Sequence, residues 1–211
     1  GKSSINGFLE DYAFSIEAFV HLYENTFDIE YLKLAQKLAD YSIAHFYDKE
    51  KGYFYFNSDE DPALVIRKIE KSDNVIPASN SAICRALFEL GTLMYNKEYL
   101  TISDQLLSNS ENLMTEHLPY ASNWSIQLLN RSHNFYEVAI VGKDADQMRN
   151  DLQKNYLPNS LFLGSTAENT ELELLESKWM EDQTTVYVCL DQMCKAPTSD
   201  LSKAMEQLVK E

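Results

Sequence analysis

The chain has 211 residues, enough for one large domain or one domain with a small appendage, and its 13 Tyr and 10 Phe support a substantial core. A formal charge of −15, from 18 Lys plus Arg against 33 Asp plus Glu, argues against DNA or RNA as a partner, because nucleic-acid affinity comes mainly from neutralising phosphates. No apolar run reaches membrane-spanning length and no leader pattern opens the chain, so a cytoplasmic protein without a membrane partner is expected. Gly1 is no native initiator, which reads as an excised piece.

"FLEDYAFSIEAFVHLYENT" runs from a polar triplet straight into a long apolar helix. The next helix, "EYLKLAQKLADYSIAHF", carries one stripe of Leu32, Ala35, Leu38, Ala39, Ser42 and Ile43, with Lys33, Gln36, Lys37 and Asp40 outside. Gly52 to Asn74 alternates aromatics with turn residues and reads as a β-hairpin or a long ordered loop. In "VIPASNSAICRALFEL", Ser79, Asn80 and Ser81 are all N-cap types ahead of a second apolar helix.

These pieces repeat. Ala13 to Ala35 lies over Ser81 to Ser103 at a constant offset of 68 residues, which maps Glu30-Tyr31-Leu32 onto Glu98-Tyr99-Leu100. Each unit pairs a helix apolar nearly all round, expected inside, with a one-striped helix expected outside. That pairing suggests an α/α toroid or an α-solenoid. A third unit begins at "ASNWSIQLLNRS", Ala121 to Ser132. After about residue 134 the pattern becomes strand, helix, strand: "YEVAIVG", a helix over Asp144 to Tyr156, "SLFLGS", a third strand "TTVYVCL" and a capped final helix "SDLSKAMEQLVK". This predicts a small parallel α/β unit. The fold expected is therefore mainly α, a partial α/α toroid over residues 1–133 with a small C-terminal α/β unit over 134–211.

In a ring of helical hairpins the inner helices share one end, where free N–H groups, dipole ends and capping side chains collect. The offset brings Glu10, Asp11 and Tyr12 to the same place as Ser79 and Asn80, with Asn123 and Trp124 opening the third unit. Each polar residue there also fits a plain capping role. Together with Tyr53 and Tyr55 of the aromatic loop they outline a sugar-sized pocket. Acid–base chemistry on a sugar needs two carboxyl groups, for which Glu10, Asp11 and Asp73 are the catalytic candidates, with Arg67 or Lys68 holding an oxygen. Asp59, Glu60 and Glu70 read as solvated loop charges. His21 reads as a core residue, no histidine pair has metal-ligand spacing, and Gly142 alone makes no phosphate loop, so neither metal nor cofactor is expected. Cys84, Cys189 and Cys194, odd in number and at no framework spacing, read as free thiols of a reducing compartment, Cys189 as a small buried hydrophobe.

Several strings in order, "LEDYAF", "GYFYF", Arg67, "DNVIPASNS", "EVAIVG" and "VYVCLDQMCKAPTSD", resemble the C-terminal part of the thioredoxin-domain family that includes spermatogenesis-associated protein 20. The resemblance covers essentially the whole chain. It implies a six-hairpin α/α toroid related to sugar epimerases and glycosidases, behind a thioredoxin-like domain of the parent chain that this sequence does not contain. The family's "PSGNS" is "PASNS" here, so Ala78 and Ser79 depart from it. The expected function is a carbohydrate-binding or degenerate sugar-processing toroid fragment. The alternatives are an active epimerase or glycoside hydrolase with paired carboxylates, a scaffold presenting clients to the thioredoxin-like domain, and a redox role for Cys189 and Cys194. Apolar helix flanks left bare by the missing hairpins predict a homo-oligomer.

Overall fold

Six helices and a two-stranded hairpin precede a four-stranded sheet with two further helices, in a computed structural model that describes residues 5–62, 65–168 and 171–209. The chain divides into two units: a helical one of Gly1–Val20, Glu30–Gly91 and Asn96–Leu129, and a sheet-containing one of His21–Ile29, Thr92–Tyr95 and Asn130–Glu211. The protein is mainly α with a small α/β part.

The repeat is visible in the backbone. Helices α1 (Leu9–Thr26) and α2 (Ile29–Phe46) form one hairpin, and α3 (Ser79–Met94) and α4 (Lys97–Asn109) form the next, with the ends of α1 and α3 and the starts of α2 and α4 at the expected offset. Both turns reverse through a left-handed aromatic residue, Phe27 at φ 56° and Tyr95 at φ 53°. A β-carbon makes that conformation unfavourable, so its recurrence at equivalent positions marks a shared turn geometry.

From Ser79 to Gly91 α3 is buried all round except at Arg85, as an inner helix should be. By contrast, α1 buries one stripe of Leu9, Ala13, Ile16, Val20 and Tyr23 with Glu24 beside it, leaving Ala18 and Leu22 exposed. His21 is a surface residue rather than a core one, its Nδ1 2.9 Å from Glu24 Oε2. On α2 the buried set is Leu32, Ala35, Ala39, Ser42 and Phe46, so most of the expected stripe is buried, with Leu38 and Ile43 half-buried at its side. After α4 come α5 (Glu111–Glu116) and α6 (Ser122–Ser132), the latter where the third unit was expected. Between α2 and α3, β1 (Tyr47–Asp48) pairs with β2 (Tyr53–Phe54) as a short hairpin. The rest of the segment to Asn74 is loop, and Ala63 and Leu64 within it lie outside the described residues.

In the second unit β3 (Tyr136–Val141) runs parallel to β4 (Ser160–Ser165), as strand–helix–strand order predicts, with α7 (Ala145–Leu152) as the crossover. The third strand, β5 (Thr185–Leu190), is antiparallel to β3, so the sheet is mixed, in order β4-β3-β5-β6 with β6 being Met193–Cys194. A return through turns and a short 3-10 helix (Glu173–Leu175) brings β5 back in the opposite direction, which a sequence pattern for buried strands does not encode. Asp200 caps the last helix, α8 (Leu201–Val209), by accepting from Ser202 N at 2.9 Å; Lys210 lies outside the described residues.

Strand β4 is an edge, and side chains from the end of α1 occupy it in place of a further strand. Glu24 Oε1 accepts from Phe162 N at 2.9 Å, and Tyr23 Oη accepts from Gly164 N at 3.3 Å. Burial raises the Tyr23 hydroxyl well above its ordinary value. Glu24→Ala is expected to cost about 2 kcal/mol in urea denaturation, because Phe162 N would be left buried without an acceptor. A loss below a few tenths would show that the edge is covered by packing alone.

Candidate functional site

Every residue proposed for the site lies in the helical unit. Glu10 and Asp11 open α1. Asp11 Oδ2 accepts from Phe8 N at 2.8 Å, the reciprocal half of a capping box, and Asp11 remains exposed. Tyr12 stacks on Tyr41 with ring centroids 5.1 Å apart and also meets Phe46.

Asp73 is only 2% exposed and joins two helix starts. Its Oδ1 accepts from Ala78 N at 2.9 Å and Ser81 Oγ at 2.6 Å, and its Oδ2 accepts from Asn123 N at 2.8 Å. The carboxylate thus supplies acceptors to the first turns of both α3 and α6, where dipole and orphan N–H groups favour negative charge. Glu70 completes the start of α3 by accepting from Ser79 N at 3.2 Å, with Lys68 Nζ 3.0 Å from its other oxygen. "SNS" therefore does not cap its own helix. Nor are its neighbours idle charges: Glu70 caps, Glu60 accepts from Tyr41 Oη at 2.6 Å, and Asp59 lies 2.8 Å from His45 Nδ1.

Asn80 is fully buried and grips the backbone of Phe54, accepting from its N at 2.8 Å and donating to its O at 2.9 Å; Nδ2 also donates to Glu70 O. The amide stands in for a neighbouring strand. Ser79 is buried too, and its Oγ has no hydrogen-bond partner among the described residues. Trp124 is fully buried with Nε1 donating to Lys71 O at 2.8 Å, so its ring belongs to the core rather than to an open stacking platform. Arg67 lies over the Tyr55 ring at 4.0 Å and donates to Asn57 O at 2.6 Å. Tyr55 Oη donates to Asp48 and accepts from Lys51.

Tyr53 borders an open pocket. Its Oη donates to Asn109 O at 2.6 Å and Lys71 Nζ lies 4.8 Å from its ring centre. With Ser72, Asn112, Glu116 and His117 these residues line a cavity of about 260 Å³. Asn112 and Glu116 escaped the sequence reading because they sit on a short helix without a repeat partner to draw attention to them, and His117 reads from sequence only as a helix-end residue with a weak dipole role. Among the described residues, no group of three His, Cys, Asp or Glu side chains is arranged to hold a metal ion, and no helix is long and apolar enough to cross a membrane.

The class defined by this geometry is a repeat of helical hairpins, with the starts of α3 and α6 joined by one buried carboxylate, followed by a small mixed-sheet unit. The chain is homologous to spermatogenesis-associated protein 20. It is 27% identical to the human protein over 206 residues and 26% identical to the mouse protein, in each case over 92% of this chain and 26% of the relative. An uncharacterized protein of Caenorhabditis elegans is 26% identical over 217 residues, 99% of this chain and 29% of its own length. The chain thus spans about a quarter of the length of the curated relatives it matches. No family model matches it.

Proposed function

We propose that the helical unit is a segment of an α/α toroid that binds a sugar-sized polyol without processing it. The observation that carries this reading is the lining of the pocket beside Tyr53. Amides, hydroxyls, a carboxylate and an imidazole surround a volume suited to one sugar ring, with an aromatic residue at the edge. The repeated hairpins with their matched left-handed turns support the toroid. Binding is favoured over epimerase or hydrolase activity because Asp73, the carboxylate that would face Glu10 or Asp11 across a substrate, already accepts three hydrogen bonds as a helix cap. A cytoplasmic location is part of the same proposal.

A monosaccharide panel tests it. One sugar class at millimolar concentration is expected to raise the melting temperature by about 2 °C, since a ligand of the native state must stabilise it. The double variant Asn112→Ala, Glu116→Gln should abolish the shift. Silence across the panel would move the reading to a scaffold that presents a client to a thioredoxin-like domain of a longer chain. That second reading is favoured by exposed apolar loop residues, Val65, Ile66, Val75 and Ile76, with Val75 at 94% exposure. The exposed Ile126, Leu128 and Leu129 on α6 support association with a second copy.

A further inference from the structure

Cys189 and Cys194 form a disulfide, contrary to the expectation of free thiols; Cys84 is buried, its Sγ 3.4 Å from Ser103 O. The pairing follows from a two-residue reversal at Asp191–Gln192, which sets the two cysteines directly opposite each other on β5 and β6. The next strand places Glu137 opposite Cys189. Directly opposed residues of an antiparallel ladder point to the same face, so Glu137, Cys189 and Cys194 form one row across the sheet.

The row is graded in exposure. Glu137 is 5% exposed, Cys189 is fully buried, and Cys194 lies open on the edge strand. Glu137 is also tied to the turn that closes the disulfide loop, its Oε2 accepting from Gln192 N at 3.2 Å. That turn holds two non-glycine residues in the left-handed region, Asp191 at φ 47° and Gln192 at φ 69°. Burial pushes the Glu137 carboxyl above its ordinary value; the Gln192 hydrogen bond opposes this, Asp191 reinforces it and Lys178 opposes it. Tyr95, from the α3–α4 turn, faces the same carboxyl, which together with Glu173 raises its already buried hydroxyl.

We propose that Cys189–Cys194 is a reactive disulfide that exchanges with the dithiol of a partner protein, with Cys194 as the sulfur attacked and Glu137 as the acid that protonates the departing Cys189. A partner thiolate attacks Cys194 Sγ, forming a mixed disulfide. The Cys189–Cys194 bond breaks with its electron pair on Cys189 Sγ, which takes the Glu137 proton. The partner's second thiolate then attacks its own bridged sulfur and releases Cys194 as a thiolate, which solvent protonates; Glu137 regains its proton from solvent. The net result is two electrons to this chain, leaving a dithiol here and a disulfide on the partner. Burial of Cys189 makes a bare thiolate there costly, and an acid beside it removes that obstacle.

The test uses the oxidised chain and dithiothreitol, with alkylation and mass measurement reading the reduction rate. Expressed per thiolate, the wild-type rate should fall as pH rises and Glu137 loses its proton. Glu137→Gln should be at least about tenfold slower at the acidic end, with a flat profile. Identical rates and profiles in the two proteins would overturn the role of Glu137. Glu137→Gln keeps the acceptor for Gln192 N and is expected to melt no lower than wild type at neutral pH. A carboxyl raised by folding contributes its full stability below its unfolded value and loses that contribution as pH rises through its folded one. Glutathione trapped on the wild-type protein should map to Cys194; adducts on Cys189, or evenly on both, would overturn the assignment without any variant. Absence of the disulfide from oxidised, folded protein would overturn the whole proposal.

Discussion

Asp73→Ala is expected to lower the unfolding free energy by about 4 kcal/mol, close to the whole stability of a marginal domain. The substitution removes one carboxylate but leaves two backbone donors without acceptors, Ala78 N and Asn123 N, at the starts of two different helices. Ser81 Oγ retains Ala78 O as a partner, so its loss adds little. Two buried orphan N–H groups cost about 1–3 kcal/mol each, and loss of a negative charge from two helix starts adds to that. Asp73→Asn should fall between, because its single carbonyl oxygen can replace only one side of the carboxylate. Urea denaturation followed by circular dichroism decides the matter. A loss under about 1 kcal/mol in Asp73→Ala would mean that the carboxylate is not a cap, and would reopen its place in acid–base chemistry.

Trp124→Ala is the second large effect, again about 4 kcal/mol, from the cavity left by a fully buried indole and from the lost hydrogen bond to Lys71 O. Trp124→Phe should retain most of the packing and lose about 1 kcal/mol with the N–H donor. The comparison also reports on the pocket. Lys71 is held by Trp124 through its backbone and lies over Tyr53 with its ammonium, so Trp124→Phe is expected to weaken sugar binding more than it weakens the fold. Full stability in Trp124→Ala, with binding alone lost, would return Trp124 to the role of an exposed stacking platform.

Much of the architecture was legible because helix periodicity, repeat offset and strand composition are local properties of the chain. The two-hairpin repeat, the all-round burial of α3 and the parallel pairing of β3 with β4 follow from the spacing of apolar residues and the order of elements. The functional reading was legible only as a list of residue types. Asp73, Asn80 and Trp124 have the chemistry of a sugar site, yet each spends it on the protein's own backbone, at Ala78 and Asn123, at Phe54, and at Lys71. A side chain's valences are filled by whichever donors the fold brings near, often fifty residues away, and composition carries no record of that distance.

The cysteines make the same distinction from the other direction. Their spacing fits no familiar framework, and an odd count suggests thiols. By itself the sequence determined the helical repeat, the acidic surface and the strand identity of the segment around Cys189. Only the tertiary structure decided that a tight reversal at Asp191–Gln192 would place Cys194 against Cys189 and Glu137 in the same row. Periodicity is written residue by residue along the chain, whereas register and pairing are set by which strands meet and in which direction.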